Sequence, residues 1–240
     1  MEKEEHQKYY NDKGVELPSC TQIVSLLNKP ELVGWANYMG FQRVDTKKLL
    51  NDRARYGTYC HKLAECYFRD GLLTAKTNAD YIPKEEYRHL IYKFRVIDLF
   101  FQKHMVRSLR NEFQVTGSSY GGTMDMVCYD ECDDCLIIFD FKTSKRIYNS
   151  HWIQLMGYVG LLEEVYQLPV KKVGVILLSE PMDSKKLITM ELTENLEREK
   201  EIFYHLTKIY HCLHPTKGEV KCDNQNYNYT QEKPCITNAL

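Results

Sequence analysis

The chain has 240 residues, 43% hydrophobic and 27% charged, with a formal net charge of −1, enough for one large domain or two small ones with an ordinary core. That charge neither requires nor forbids a nucleic acid, because a bound metal ion can neutralise phosphates on a protein that is not itself basic. The composition excludes a membrane span: the first residues, MEKEEHQKYYNDKG, are polar, and the apolar run VGVILL is far too short. A soluble, cytoplasmic protein is expected, with its nine cysteines reduced.

Residues 1–16 are polar and read as a loose arm or edge strand. Ser19, with Gln22 three residues on, forms a capping-box signature that predicts a short helix to about Leu27. A second short helix carries Trp35. The pattern from Thr46 to Asp70 is helical and ends at Gly71. Pro83 opens another helix, expected over 84–108. The period then changes to two: NEFQVTG, GGTMDMVCY and CLIIFDFK read as successive strands, with YDECDD turning between the last pair. Residues 150–166 return to helix, 170–179 and 185–192 are strands, and 193–213 is helical. Without repeats or low-complexity linkers, the expectation is one α/β domain: an N-terminal helical extension (1–45), a core (46–213) and a polar tail (214–240).

The stretch IIFDFKTSK, residues 137–145, carries the chemistry. Asp140 and Lys142 share one face of a strand and Phe141 takes the other. A charged pair at the end of a core strand is costly unless it is used there. The bland alternative is a surface salt bridge. Asp125 follows Gly121 and Gly122 in the preceding strand, and the strand continues past it, which disfavours a simple turn acid. Two carboxylates brought together repel, and a hard divalent cation relieves them. A neighbouring lysine can then stabilise charge developing on a phosphate.

Asp125 followed by Asp140-x-Lys142 resembles the PD-(D/E)XK nuclease superfamily. GTYCHKLAE supplies Gly57, His61 and Glu65, similar to the Gly-x-x-x-His-x-x-x-Glu helix of its RecB-like members. QLMGY supplies Gln154 and Tyr158, similar to their Gln-x-x-x-Tyr helix. LPSCTQI resembles the Pro-Ser-Val-Thr segment of phage-type exonucleases, with Cys20 in place of Val. The resemblance spans roughly residues 17–180, in the family's order.

It implies a restriction-endonuclease-like core, a central mixed β-sheet flanked by helices, with helical N-terminal additions. It also implies an Mg2+- or Mn2+-dependent DNA exonuclease. Asp125, Asp140, His61 and the Phe141 carbonyl would ligate the ion, and Lys142 would assist attack of water. Gln154 and Tyr158 would hold Lys142 and touch the DNA backbone, and Lys145 and Arg146 would contact substrate. Each residue has a plainer alternative. His61 alone would be an exposed or capped helical histidine, and Glu65 either supports the site or ties its helix to a nearby base. Glu112, at the opening of the first strand, lies near the site or at the surface. Gln154 and Tyr158 could be an ordinary amide and a core-edge ring.

The bases Lys84, Arg88, Lys93, Arg95, Lys103, Arg107 and Arg110 read first as a solvated helix face, with a phosphate-tracking groove as the alternative. Cys128, Cys132 and Cys135 make a poor zinc set. Cys20, Cys212, Cys222 and Cys235 fall in the order of an iron–sulfur set found in some RecB-like nucleases. Gaps of ten and thirteen residues among the last three disfavour a cluster. The implied partner is DNA, single-stranded or at its ends, with a recombination protein as a further candidate partner. Two rival functions remain: a nuclease fold that binds without cutting, and a nuclease-fold subunit of a larger recombination or CRISPR-adaptation assembly. Retention of Asp125, Asp140 and Lys142 argues against the first.

Overall fold

The structure is a computed structural model that describes residues 7–27, 30–71, 83–178, 189–194 and 196–215. The expected strand over 185–192 begins within those residues only at Thr189. Cys222, Cys235 and most of the polar tail lie outside them.

Strands β1 (Tyr9–Tyr10) and β2 (Glu16–Leu17) form a small antiparallel hairpin. Ser19 then caps α1 (Cys20–Val24) through the reciprocal bonds of the capping box, with its hydroxyl accepting from the Gln22 N–H. This helix stops three residues short of the expected Leu27. Helix α2 (Glu31–Phe41) leads into α3 (Thr46–Asp70), whose first turn is capped by Asp45. Gly71, at φ +84°, ends α3 in a conformation that a side chain would resist.

Helix α4 (Lys84–Lys103) is shorter than predicted. The sequence carries the helical period to 108, but Met105 turns to φ +53° and β3 (Val106–Thr116) begins at once. Val106 pairs with Asp130 of β4 (Gly121–Asp130), and this long-range ladder overrides local helix propensity. Arg107 and Arg110 therefore belong to a strand.

Strand β5 (Cys135–Lys142) is followed by α5 (Asn149–Tyr166), β6 (Val170–Leu177), β7 (Thr189–Glu194) and α6 (Glu197–Leu213). The sheet order is β3-β4-β5-β6-β7, with only β5 and β6 parallel. This is a mixed five-stranded sheet flanked by helices.

The central strand β5 divides two cores. Leu136 and Ile138 pack with α1, α5 and α6, while Ile137, Phe139 and Phe141 pack with α3 and α4. Burial on both faces explains its unbroken apolar run. Each such side chain contributes about 1.5–3 kcal/mol by leaving water. That stabilisation holds Asp140 and Lys142 rigidly at the strand's end.

Candidate active site

Pairing between β4 and β5 is registered from Asp130↔Cys135 to Met126↔Phe139. Continued by one residue, it would set Asp125 opposite Asp140. At that point the Asp125 carboxylate accepts the Phe141 backbone N–H, at 2.6 Å from Oδ2. A side chain thus takes a strand amide, and both acids are fixed at one end of the sheet.

From the α3 side, His61 Nδ1 lies 3.0 Å from Asp125 Oδ1. Glu112, in β3, completes a group: one ligand atom each from His61, Glu112 and Asp125 lies within 4.8 Å of the others. Glu112 sits at φ +48°, a left-handed conformation that costs a non-glycine residue about 1–2 kcal/mol. The chain holds that strain where it points a carboxylate at the other two groups. From the α5 side, Lys142 Nζ lies 2.7 Å from Asp140 Oδ2 and donates to Gln154 Oε1 at 3.0 Å. Gln154 Nε2 in turn donates to the Tyr158 hydroxyl at 2.6 Å. The two flanking layers therefore meet at one corner of the sheet.

The electrostatics follow from burial and these pairings. Burial would lower the His61 pKa, but the Asp125 carboxylate outweighs it and raises it to about 9. Burial opposes ionisation of Asp125, yet His61 and Lys142 hold its pKa below the ordinary carboxylate value. Asp140 is pushed up, first by burial and further by the charge of Asp125, although Lys142 pulls the other way. Glu112 is raised to about 7 by burial and then by Asp125. The imidazolium of His61 thus balances Asp125, while Glu112 and Asp140 resist ionising without more positive charge nearby.

The sequence-predicted residues separate into groups. His61, Asp125, Asp140, Lys142, Gln154 and Tyr158 are brought together, and the Phe141 N–H joins them through Asp125. Among the described residues the metal-competent group contains Glu112, not Asp140, whose carboxylate faces Lys142. Glu112 is also in mid-strand, since β3 opens at Val106. Glu65 is ion-paired with Arg69 one turn along α3, the plainer of its two readings. Tyr158 is 4% exposed and Gln154 8%, so their expected contact with a DNA backbone has little surface to work from, and they face Lys142 instead.

Lys145 and Arg146 are exposed just after β5, with the Arg146 guanidinium 5.0 Å from the Tyr148 ring centre. The solvated helix face expected of seven bases loses three of them, Arg107 and Arg110 to β3 and Lys93 to the core. Lys93 is buried and donates to the Leu178 carbonyl, because its long stem can reach that acceptor across the core. Gly57, the first residue of the motif that carries His61 and Glu65, lies inside α3. A Cβ there would stand 3.3 Å from Thr143 Oγ1, so the glycine lets α3 approach the residue following Lys142. A glycine inside a helix was the available signal.

No family model and no curated protein matches this chain. Three solved structures show distant likeness. The protein called SSO0001 is 12% identical over 65% of this chain and 73% of its own, with a TM-score of 0.32. A chain from Eubacterium rectale, provisionally named an exonuclease, is 15% identical over 75% and 76%, with a TM-score of 0.45. A phage-related exonuclease from Haemophilus somnus 129PT is 15% identical over 64% and 93%, with a TM-score of 0.31. These likenesses are too distant to carry a functional argument, which rests on the side chains themselves.

Proposed function

We propose that the chain is a single-domain, Mg2+- or Mn2+-dependent nuclease that hydrolyses phosphodiester bonds of DNA, acting as an exonuclease in phage, recombination or repair metabolism. The observation that carries the reading is the junction of two half-sites at the β4–β5 end. One is the carboxylate–imidazole group of His61, Glu112 and Asp125; the other is the ammonium of Lys142, held by Asp140 and Gln154.

The donor set suits a divalent ion. Two carboxylates offer hard oxygens, and an imidazole adds one nitrogen. Glu112, resistant to ionising as it stands, would gain the cation its charge needs. His61, Glu112 and Asp125 would hold the ion, with Asp140 and the Phe141 carbonyl as further candidate ligands. When bound, a divalent ion lowers the pKa of a water ligand and polarises a phosphoryl oxygen.

The protein groups do the rest. Asp125, tied to the Phe141 N–H, fixes the position of the metal group relative to β5. Lys142 presents positive charge where a scissile phosphate would become more negative. Gln154, anchored by Tyr158, keeps that ammonium from swinging away. Lys145 and Arg146, exposed just after β5, would meet the substrate backbone. The rival is a nuclease fold that binds without cutting; a nuclease-fold subunit of a larger recombination or CRISPR-adaptation assembly is a further alternative.

Hydrolysis of end-labelled linear and closed circular DNA, with and without Mn2+, tests the reading. Lys142→Ala is expected to fold normally and lose about 10²–10³ in rate. Lys142→Arg rescues poorly, because a planar guanidinium places its charge differently from a compact ammonium. Equal rates for wild type and Lys142→Ala would defeat the mechanism. An inert wild type that still binds DNA would favour the rival.

A further inference from the structure

We propose that the hairpin of α2 and the first half of α3 is a stacking platform for single-stranded nucleic acid leading to the site. The proposal deepens the nuclease reading and rests on it. From residue 32 to residue 55 no side chain is buried. Phe41 is 87% exposed and Tyr38 62%, with Trp35 partly exposed between α2 and solvent. Such rings on an outlying helix are unusual for a surface with no partner.

Charge identifies the occupant. Exposed Arg43, Lys47, Lys48 and Arg53 follow directly, and none makes an ion pair with another described residue. Residues 32–55 hold five Lys and Arg against two Asp, in a chain whose net charge is −1. The core of a protein–protein interface is depleted in charge, whereas a row of rings followed by a run of cations offers stacking faces for bases and positive charge for the phosphates of a single strand. A duplex hides its base faces in its own stack and offers nothing to the rings.

The platform is also continuous with the site. Helix α3 runs unbroken from Thr46 to His61, a distance of about 22 Å at 1.5 Å per residue. A short single strand lying along it would reach the group around Asp125. Single-strand binding sites commonly cover about 4–16 nucleotides.

The test measures binding apart from cleavage. In the Lys142→Ala background, fluorescence anisotropy follows a labelled oligothymidylate and a labelled duplex. Tyr38→Ala/Phe41→Ala is expected to weaken single-strand binding by about tenfold or more for each ring that stacks a base, leaving duplex binding unchanged. Lys47→Glu/Lys48→Glu should reduce the salt dependence of binding. With Lys142 intact, hydrolysis of thymidine 5′-p-nitrophenyl phosphate, too small to reach α2, should be unaltered by the ring substitutions.

Unchanged oligonucleotide affinity in Tyr38→Ala/Phe41→Ala overturns the platform; hydrolysis of the small ester would leave the nuclease reading standing. Ring-dependent single-strand binding, with the small ester and DNA both inert to wild type, supports the platform and overturns the nuclease reading. A change in mass by light scattering, or a lowered Tm, on removing the rings would show that they pack against protein, and would also overturn the platform.

Discussion

Glu112 combines a left-handed backbone, a carboxyl raised to about 7 and a position beside His61 and Asp125. Two substitutions separate these properties. Glu112→Gly removes the carboxylate and relaxes φ, so hydrolysis should fall sharply while Tm holds or rises by a few degrees, the strain relieved being about 1 kcal/mol. Glu112→Gln keeps the strain and should lose activity without that gain. Metal binding at these residues requires a neutral imidazole and ionised carboxylates. With His61 at about 9 and Glu112 at about 7, binding at pH 7 should release protons, and affinity should rise with pH from about 6 to 9. Calorimetry of Mn2+ in buffers of different ionisation enthalpy measures the proton count. A count of zero would place the ion elsewhere.

The elements act on the site through close packing. Gly122 in β4 lies under Tyr158 of α5: a Cβ there would stand 2.8 Å from the ring and 3.0 Å from Cys20 Sγ. Both neighbours are buried and have little room to yield. Gly122→Ala should therefore cost about 1–3 kcal/mol in stability. It should also displace Tyr158 and loosen the Gln154 bond to Lys142, lowering kcat more than it raises KM. Tyr158→Phe, which removes only the hydroxyl, should reproduce the catalytic loss with a smaller loss of stability. Urea unfolding beside steady-state kinetics distinguishes the two effects.

At the scale of the whole molecule, the site joins two packed layers, so its charges bear on global stability. A raised His61 contributes stability that is complete below its unfolded pKa near 6.5 and lost as pH climbs through about 9. A raised Glu112 acts in the same direction: it is neutral in both states below about 4.5, and ionising it costs stability as pH rises through about 7. In EDTA, Tm should therefore fall between pH 5 and 9, and Glu112→Gln should remove the lower part of that slope. Saturating Mn2+ should reverse the trend, adding about 2.7 kcal/mol at a hundred times Kd. In the core that supports the α3 layer, Phe139→Ala should cost about 3–5 kcal/mol, because Phe139 is almost fully buried against Phe101. Among the described residues no helix is long and apolar enough to cross a membrane.

Local chemistry made much of this legible beforehand. The capping box at Ser19, the glycine stop at Gly71 and the doubly buried strand 135–142 are encoded by neighbours within a few residues. Helical and strand periods likewise placed His61, Gln154 and Tyr158 on helices and Asp125, Asp140 and Lys142 on adjacent strands. The end of α4 was not legible, because Val106 joins a strand only through Asp130, twenty-four residues away. Nor did the sequence show that Lys93 is buried against the Leu178 carbonyl. Which carboxylates converge was likewise a tertiary decision. Spacing put Asp125 near Asp140 and Asp140 beside Lys142, but only the fold brings Glu112 to Asp125 and His61, through a positive φ that no residue-type preference announces. Periodicity fixes the face a side chain takes on its own element; which neighbour it meets depends on strand register and layer packing, set by contacts distant in sequence.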